Sequence, residues 1–308
     1  MVLSFILYIF FTFVELNCEN LFDYRHDEGK EDFEYLPESG RHWTKNRYWR
    51  KQNHIGQEIL SCSEQIPDMI ALCEVENDSV LNDLTKRSLL RNAGYEYIMT
   101  SSPDTRGIDV ALLYSPFSFR PFRHYSLRVD PVKSMRPTRD ILYVCGEIIS
   151  GDTLHVFVMH APSRYGGKRP TRKFRWQTAY RLNASVDSIL STNPRAHIIV
   201  AGDFNDEPDD EIPLHLESIG LHNITRNATG SNGAKGTYKY DGCWSRIDHV
   251  FVSNGLSSTV EKAYINDLPF LLEEDTKYGG LKPFRTYNGY RYQQGFSDHL
   301  PVVVRFKW

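Results

Sequence analysis

Cysteine is scarce in this sequence: five in 308 residues, an odd number with no CxxC pair. That argues against a disulfide framework and against a thiolate zinc site. Cys18, Cys73 and Cys145 fall in apolar, strand-like runs, where a thiol acts as a small hydrophobe, and all five cysteines are read as structural. Positive charge is not in excess either. The chain carries 36 Lys and Arg against 39 Asp and Glu, a formal net charge of -3. No global basic field advertises nucleic-acid binding, so a polyanionic substrate needs a local patch. Internal repeats, low-complexity tracts and long Pro/Gly/Ser linkers are absent, and one domain over residues 1–308 is expected. The long apolar run MVLSFILYIFFTFVELN has no basic residue ahead of it and no small-residue cleavage site behind it. It is short for a membrane span. We read it as a buried central first strand, with residues 1–11 either the remnant of an export signal or part of that strand. Cytoplasm and export both stay open, as does membrane association, and a monomer is expected.

What is present is a soluble composition, 41% hydrophobic and 24% charged, enough for a sizeable core. FFTFVEL, DMIALCEV, YEYIMTS, DVALLYS, LYVCGEII, TLHVFVMH, HIIVAGDF, RIDHVFVS and PVVVRF read as strands. Several are apolar throughout, as a strand covered on both faces requires. Helical spacing marks Lys45 to Ser63, with Thr44 as its N-cap, and also Ser79 to Asn92 and Thr171 to Leu190. The class is α/β, with sheets packed together and covered by helices. Tyr24 to Arg41 and Asn266 to Gly295 read as long loops bordering a functional site.

Polar residues recur at the ends of the apolar strands, the edge where α/β proteins collect catalytic groups. Asn17 ends FVELN, Glu74 lies in IALCEVEN and His160 in LHVFVMHAPSR. IIVAGDFNDEP supplies Asp203 and Asn205, SRIDHVFVS supplies Asp248, and GFSDHLPVVV supplies Asp298 and His299. This set suits hydrolysis of a phosphate ester. Oxygen donors from Glu74, Asp298 and Asn17 favour a hard cation, Mg²⁺ or Mn²⁺. Asp203 can orient or deprotonate water, Asn205 can donate to a phosphate, and the two histidines can exchange protons or bind the anion.

The strings NCENLFD, CEVEN, HAPSR, GDFND, RIDHVFVS and SDHLPV resemble, in order from residue 17 to residue 303, the motifs of the endonuclease/exonuclease/phosphatase family. The resemblance implies a DNase I-like, four-layer α/β sandwich, two packed mixed β-sheets flanked by helices. It implies Glu74 as principal metal ligand, supported by Asn17 and Asp298, with one or two ions. It implies that Asp203 aligns the water, Asn205 contacts the phosphate, and Asp248 orients His299 at the scissile phosphate. His160 stands where DNase I-like nucleases have a second histidine, with Asp109 of RGIDVALLY placed to orient it. Arg139 of PTRDIL falls near a phosphate-contacting arginine.

A lone Asp or His in a strand is more often a satisfied structural group, and that reading weighs most on Asp248 and Asp109. Glu19 and Glu76 are expected to aim elsewhere, while Asp206 and His249 are read as structural. The segment RYGGKRPTRKFRWQ brings Arg164, Lys168, Arg169, Arg172, Lys173 and Arg175 just after His160. It reads equally as an electrostatic patch for a polyanion, with Arg164 nearest the substrate, and as a solvated first helix turn. Arg106 is balanced between phosphate contact and ion pairing, and Trp176 is read as core. The leading functional reading is a nuclease acting on phosphodiesters. A phosphatase or phosphodiesterase for a small-molecule, phosphoinositide or phospholipid substrate is the alternative. A non-catalytic binding protein predicts a missing ligand, and none is missing.

Overall fold

A computed structural model describes residues 10–308 of the protein. Residues 1–9, with most of the expected export remnant, lie outside the described residues. The chain from Phe10 onward runs directly into a strand.

Twelve strands build two mixed sheets. They are β1 (Phe10–Leu21), β2 (Met69–Val75), β3 (Glu96–Met99), β4 (Asp109–Tyr114), β5 (Phe119–Leu127) and β6 (Ile141–Ile148), then β7 (Thr153–His160), β8 (His197–Asp203), β9 (Leu221–Asn223), β10 (Asp248–Ser253), β11 (Val260–Ile265) and β12 (Val302–Lys307). The first sheet runs β11-β12-β1-β2-β4-β3 and the second β5-β6-β7-β8-β10-β9. Each has a parallel pair at its centre, β1 with β2 and β7 with β8, and antiparallel pairs outside it. Helices α1 (Lys45–Leu60) and α2 (Asp78–Lys86) cover the first sheet, while α3 (Lys168–Thr192) and α4 (Glu211–Ser218) cover the second. This is the expected α/β sandwich with flanking helices.

Side chains alternate along each strand, so every second residue enters the layer between the sheets. Phe11 and Phe13 of β1, Val156 and Val158 of β7, Ile199 and Ala201 of β8, and Val250 and Val252 of β10 form that dry layer. Continuing the same alternation brings Glu15 and Asn17, His160, Asp203, and Asp248 onto the same face at one end. The inter-sheet layer is therefore apolar along most of its depth and polar at one rim. Glu15 lies deepest, its two carboxylate oxygens buried without a hydrogen-bond partner. Burial first, then the nearby Asp248 and Asp203, holds its carboxyl far above the usual range, so it is neutral.

The strands that sequence reading passed over are edges or near-edges. β5 exposes most of its residues and carries Pro121, which an edge tolerates and a central strand does not. Helix ends also shift. α3 begins three residues earlier than expected, at Lys168, and the Ser79 to Asn92 segment divides into α2 and a 3-10 turn at Leu89–Asn92. Thr44 is the N-cap residue of α1 but its side chain makes no capping hydrogen bond. Trp176 is half-buried, stacking on Tyr180, and Arg175 takes the buried position beside it. All five thiols are free; four are buried and Cys243 is exposed.

α1 turns Glu58 into the interior, where burial pushes its carboxyl up to about 8 against the pull of the Lys51 ammonium. An unfolded glutamate releases its proton near the ordinary value of 4.5. Between these values the folded state holds a proton the unfolded state has lost. Its stabilising effect is complete below the lower value and disappears as pH rises through the upper one. Glu58→Gln is expected to leave the melting temperature nearly unchanged at about pH 5 and to stabilise the protein by roughly 2–4 kcal/mol at about pH 8.5. Equal melting shifts at both pH values would show that the buried proton is absent.

Candidate active site

Strand register assembles the site. The parallel β7–β8 ladder pairs His160 with Asp203, and the β8–β10 ladder pairs Asp203 with Asp248. Gly202 makes the first of these contacts feasible. At φ +143° it lies against β7, where a Cβ would stand 1.8 Å from the Met159 carbonyl oxygen, so no other residue fits. On the first sheet, β2 bulges between Cys73 and Val75 against β4, while its register with β1 shifts across Asn17 to Leu21 of β1. Glu74 at the bulge adopts φ +62°, a left-handed conformation unusual for glutamate. Bulges re-aim side chains at functional edges, and this one presents Glu74 at the rim.

Glu74, His160 and Asp203 line one cavity of about 530 Å³ with Asn17, Asn20, Arg106, Arg164, Asn205, Tyr238, Asp298 and His299, and Asp248 stands behind His299. Asn17 donates from Nδ2 to Asp203 Oδ2 at 3.2 Å, while its Oδ1 accepts from the Glu19 amide at 3.0 Å. Asp203 Oδ1 accepts from the Asn205 amide at 2.8 Å, and its Oδ2 lies 3.5 Å from His160 Nε2. Asn205, at φ +51°, donates from Nδ2 to the Ala161 carbonyl at 3.1 Å and keeps its second amide proton free of that bond. His299 Nδ1 lies 2.8 Å from Asp248 Oδ2, which also accepts from the Thr237 hydroxyl. The ring of Tyr238 packs on His299 at 4.9 Å.

The two histidines are driven in opposite directions. Burial opposes charge on His299, but the attraction of Asp248 and the hydrogen bond to it prevail and hold the ring well above its ordinary value. His160 is held well below, first by burial and then by Arg139 and Arg106 nearby. The positive form is thus favoured on His299 and disfavoured on His160. Between them, burial and the repulsion of Asp248 push Asp203 up to about 7.

The oxygen donors suit a hard cation. Glu74 Oε2 accepts from the Asn20 amide at 2.8 Å, whereas Oε1 lies 3.9 Å from His160 Nε2, beyond hydrogen-bond reach. Asp298 Oδ2 binds Arg285 Nη2 at 2.8 Å, and its Oδ1 stands 4.0 Å from His299 Nε2. Each carboxylate thus keeps one oxygen for a ligand, and Asn17 Oδ1 retains a lone pair. Asp203, Asp248 and His299 form a second group whose donor atoms lie within 4.8 Å of one another. There the Asp248–His299 hydrogen bond already satisfies two of the three, which favours a proton relay over a ligand set.

Three sequence expectations are corrected. Asp109 does not orient His160: its carboxylate accepts from Thr100 Oγ1 and from the Ser102 amide and hydroxyl, and His160 Nδ1 has no hydrogen-bond partner. Arg139 does not face the cavity. It is buried behind it, 3.1 Å from Asp104 Oδ2 and donating to the Ala161 carbonyl at 2.7 Å. The Arg164–Arg175 segment does not form a free basic patch. Arg164 lines the cavity but pairs with Glu207 and Asp210; Lys168 pairs with Asp210, Arg172 with Glu211, and buried Arg175 with Asp206. Of the two readings the sequence held equal, the solvated turn is favoured: acidic neighbours engage four of the six cations, and only Arg169 and Lys173 make no ion pair among the described residues.

Arg106, which the sequence left balanced between phosphate contact and ion pairing, is joined by residues that sequence reading did not single out. Arg106 is the cavity-lining guanidinium with only a long 3.7 Å contact to Asp104. Arg285 bridges Asp298 and Glu19, which also accepts from the Thr286 and Tyr287 amides. The long loops contribute as expected: Tyr35 and Arg41 from the first, and Arg285 and Tyr287 from the second, border an adjoining cavity of about 170 Å³ that shares Asn20. No charge run or strand end signalled these residues in the sequence.

The family model described as the endonuclease/exonuclease/phosphatase family matches residues 12–307. No curated relative matches the sequence. An endonuclease/exonuclease/phosphatase family protein from Bacteroides thetaiotaomicron is similar in structure at 18% identity, covering 98% of this chain and 99% of that one with a TM-score of 0.63. A mannosyl-6-phosphatase from the same organism superposes at 18% identity over 96% and 99% of the two chains, TM-score 0.61. The human Nocturnin catalytic domain does so at 18% identity over 97% and 96%, TM-score 0.59. Identities this low speak for the fold, and the family match spans nearly the whole length. The chain belongs to the endonuclease/exonuclease/phosphatase family.

Proposed function

We propose that this protein hydrolyses phosphodiester bonds with the help of one or two divalent cations, Mg²⁺ or Mn²⁺, held by Glu74, Asp298 and Asn17. The observation that carries the reading is one cavity lined by the oxygen donors Asn17, Glu74, Asp203 and Asp298 together with Asn205, His160 and His299. Asp203 at about 7 exchanges protons with water in the range where general acid–base groups are most effective. His299, its Nδ1 committed to Asp248, presents Nε2–H to a phosphoryl oxygen. Asn205 donates its remaining amide proton to the same group, and Arg106 adds a cation at the wall. A bound cation would polarise the phosphoryl oxygen and offset charge developing in the transition state.

A second reading, monoester hydrolysis on a small molecule, is favoured by the ion-paired Arg164–Arg175 segment, which leaves little charge to track a long polyanion. The name of one structural neighbour, a mannosyl-6-phosphatase, points the same way. Incubation with Mg²⁺ or Mn²⁺ against plasmid DNA, RNA, a generic phosphodiester and a panel of phosphomonoesters separates the two. Diester cleavage lost on EDTA addition supports the first reading, turnover confined to monoesters supports the second, and no turnover at all removes both.

A further inference from the structure

Two tyrosines on the cavity rim are exposed far beyond what packing would leave. Tyr165, in the loop between β7 and α3, is 93% exposed, and Tyr240, in the hairpin of Tyr238–Tyr240 with Cys243–Ser245, is 64% exposed. Both line the cavity that holds His160, Asp203 and His299. The hairpin is fixed beside the catalytic groups, since Tyr238 forms a bridge with His299 and packs on its ring. The Tyr165 loop forms a local turn, the Tyr165 amide donating to Ser163 Oγ at 3.1 Å and the Gly167 amide to the Arg164 carbonyl at 2.8 Å, and Arg164 Nε ties it to the site by donating to the Asn205 carbonyl at 2.5 Å. Gly166 and Gly167 take φ +89° and +107° there, turning the chain directly after the exposed ring. Neither phenol is buried by its own chain, so each ring face is available to whatever enters the cavity.

We propose that these rings stack on the bases of a short single-stranded nucleic acid whose phosphodiester reaches the catalytic groups. The inference rests on the hydrolase reading and specifies its substrate class. Aromatic rings bind unpaired bases through π-faces without requiring a particular sequence. A duplex withholds those faces, and its backbone needs a continuous basic track. Here four of the six Arg164–Arg175 cations are paired with acidic neighbours, and of the two guanidiniums lining the cavity Arg164 is among them while Arg106 has only a long contact to Asp104. Stacking close to the scissile bond, rather than charge along a groove, is what this surface offers. A cavity of about 530 Å³ admits one or two nucleotide units at a time.

The test compares a dithymidine phosphodiester with a ringless abasic dinucleotide analogue, using the whole chain with Mn²⁺. Tyr165→Ala and Tyr240→Ala are each expected to lower the ratio of the two kcat/KM values by about fivefold to a hundredfold, the worth of one stacked base. Tyr180→Ala, an exposed tyrosine on α3 that stacks on Trp176, serves as control and leaves the ratio unchanged. Ratios unchanged in both rim variants overturn the proposal, as does a wild-type preference for the ringless diester or for sugar phosphates. If the wild type hydrolyses neither diester, the hydrolase reading fails on its own. Stacking is then decided by dithymidine binding to the His299→Ala protein, which rim substitutions must weaken by the same factor.

Discussion

His299→Ala is expected to lower kcat for a phosphodiester by about a thousandfold, inside the range that positioned acid–base groups contribute. The reason is geometric as much as electrostatic. Asp248 fixes the ring through Nδ1 at 2.8 Å and favours its positive form against the cost of burial, so Nε2 is aimed into the cavity. Without the ring, Asp248 retains the Thr237 hydroxyl but loses its cationic partner. The variant is therefore also expected to melt lower, and circular dichroism must show that it remains folded before rates are compared. Single-turnover rates that match the wild type in a folded variant would remove His299 from the chemistry. Asp248→Asn keeps the shape of the pair but forfeits its charge, and is expected to reduce kcat less than loss of the ring does.

The second large effect concerns the cation. Glu74→Gln is expected to weaken Mn²⁺ binding by about a hundredfold, comparable to the upper range for disturbing a metal site's supporting shell. Asp248→Asn is expected to leave that affinity within about threefold, because Asp248 serves His299 rather than the ion. Calorimetric titration with Mn²⁺ reads both without requiring turnover. The comparison discriminates between two locations. If the ion sits instead among Asp203, Asp248 and His299, whose donor atoms lie within 4.8 Å, Asp248→Asn will carry the larger loss. A hundredfold loss in both variants would mean that the roles are not separable in this way.

Much of this was legible in one dimension because the central strands are read unambiguously. FTFVELN and HIIVAGDF are apolar along their length and break into polar residues at one end, and that break marks the rim of the inter-sheet layer. The alternation of side chains then fixes which polar residues share it: Asn17, His160, Asp203 and Asp248 follow Phe13, Val158, Ala201 and precede Val250 on the same face. Edge strands gave no such signal. β5, exposed along most of its length and interrupted by Pro121, is held by its pairing with β6 rather than by its own hydrophobic pattern.

The misplacements have a common cause. Asp109 stands beside the right strand end, but the Thr100 and Ser102 hydroxyls reach its carboxylate first. Arg139 lies in a suitable motif, yet Asp104, which comes 35 residues earlier, draws it behind the cavity wall and leaves Arg106 at the surface. The basic segment meets Asp206, Asp210 and Glu211, brought alongside α3 by the next strand and helix. In each case sequence supplies the charge, and a partner distant along the chain determines where it goes.

The sequence alone determined the α/β class, the family and the polar residues that share the rim, because buried strands demand continuous apolar residues and polar groups interrupt them only at their ends. The tertiary structure decided the rest. It set the opposite directions in which His160 and His299 are driven, the elevated carboxyl of Asp203, the turning of Glu74 at its bulge, and the exposure of Tyr165 and Tyr240. Those properties depend on burial and on neighbours from other strands, and neither exists until the two sheets have packed together.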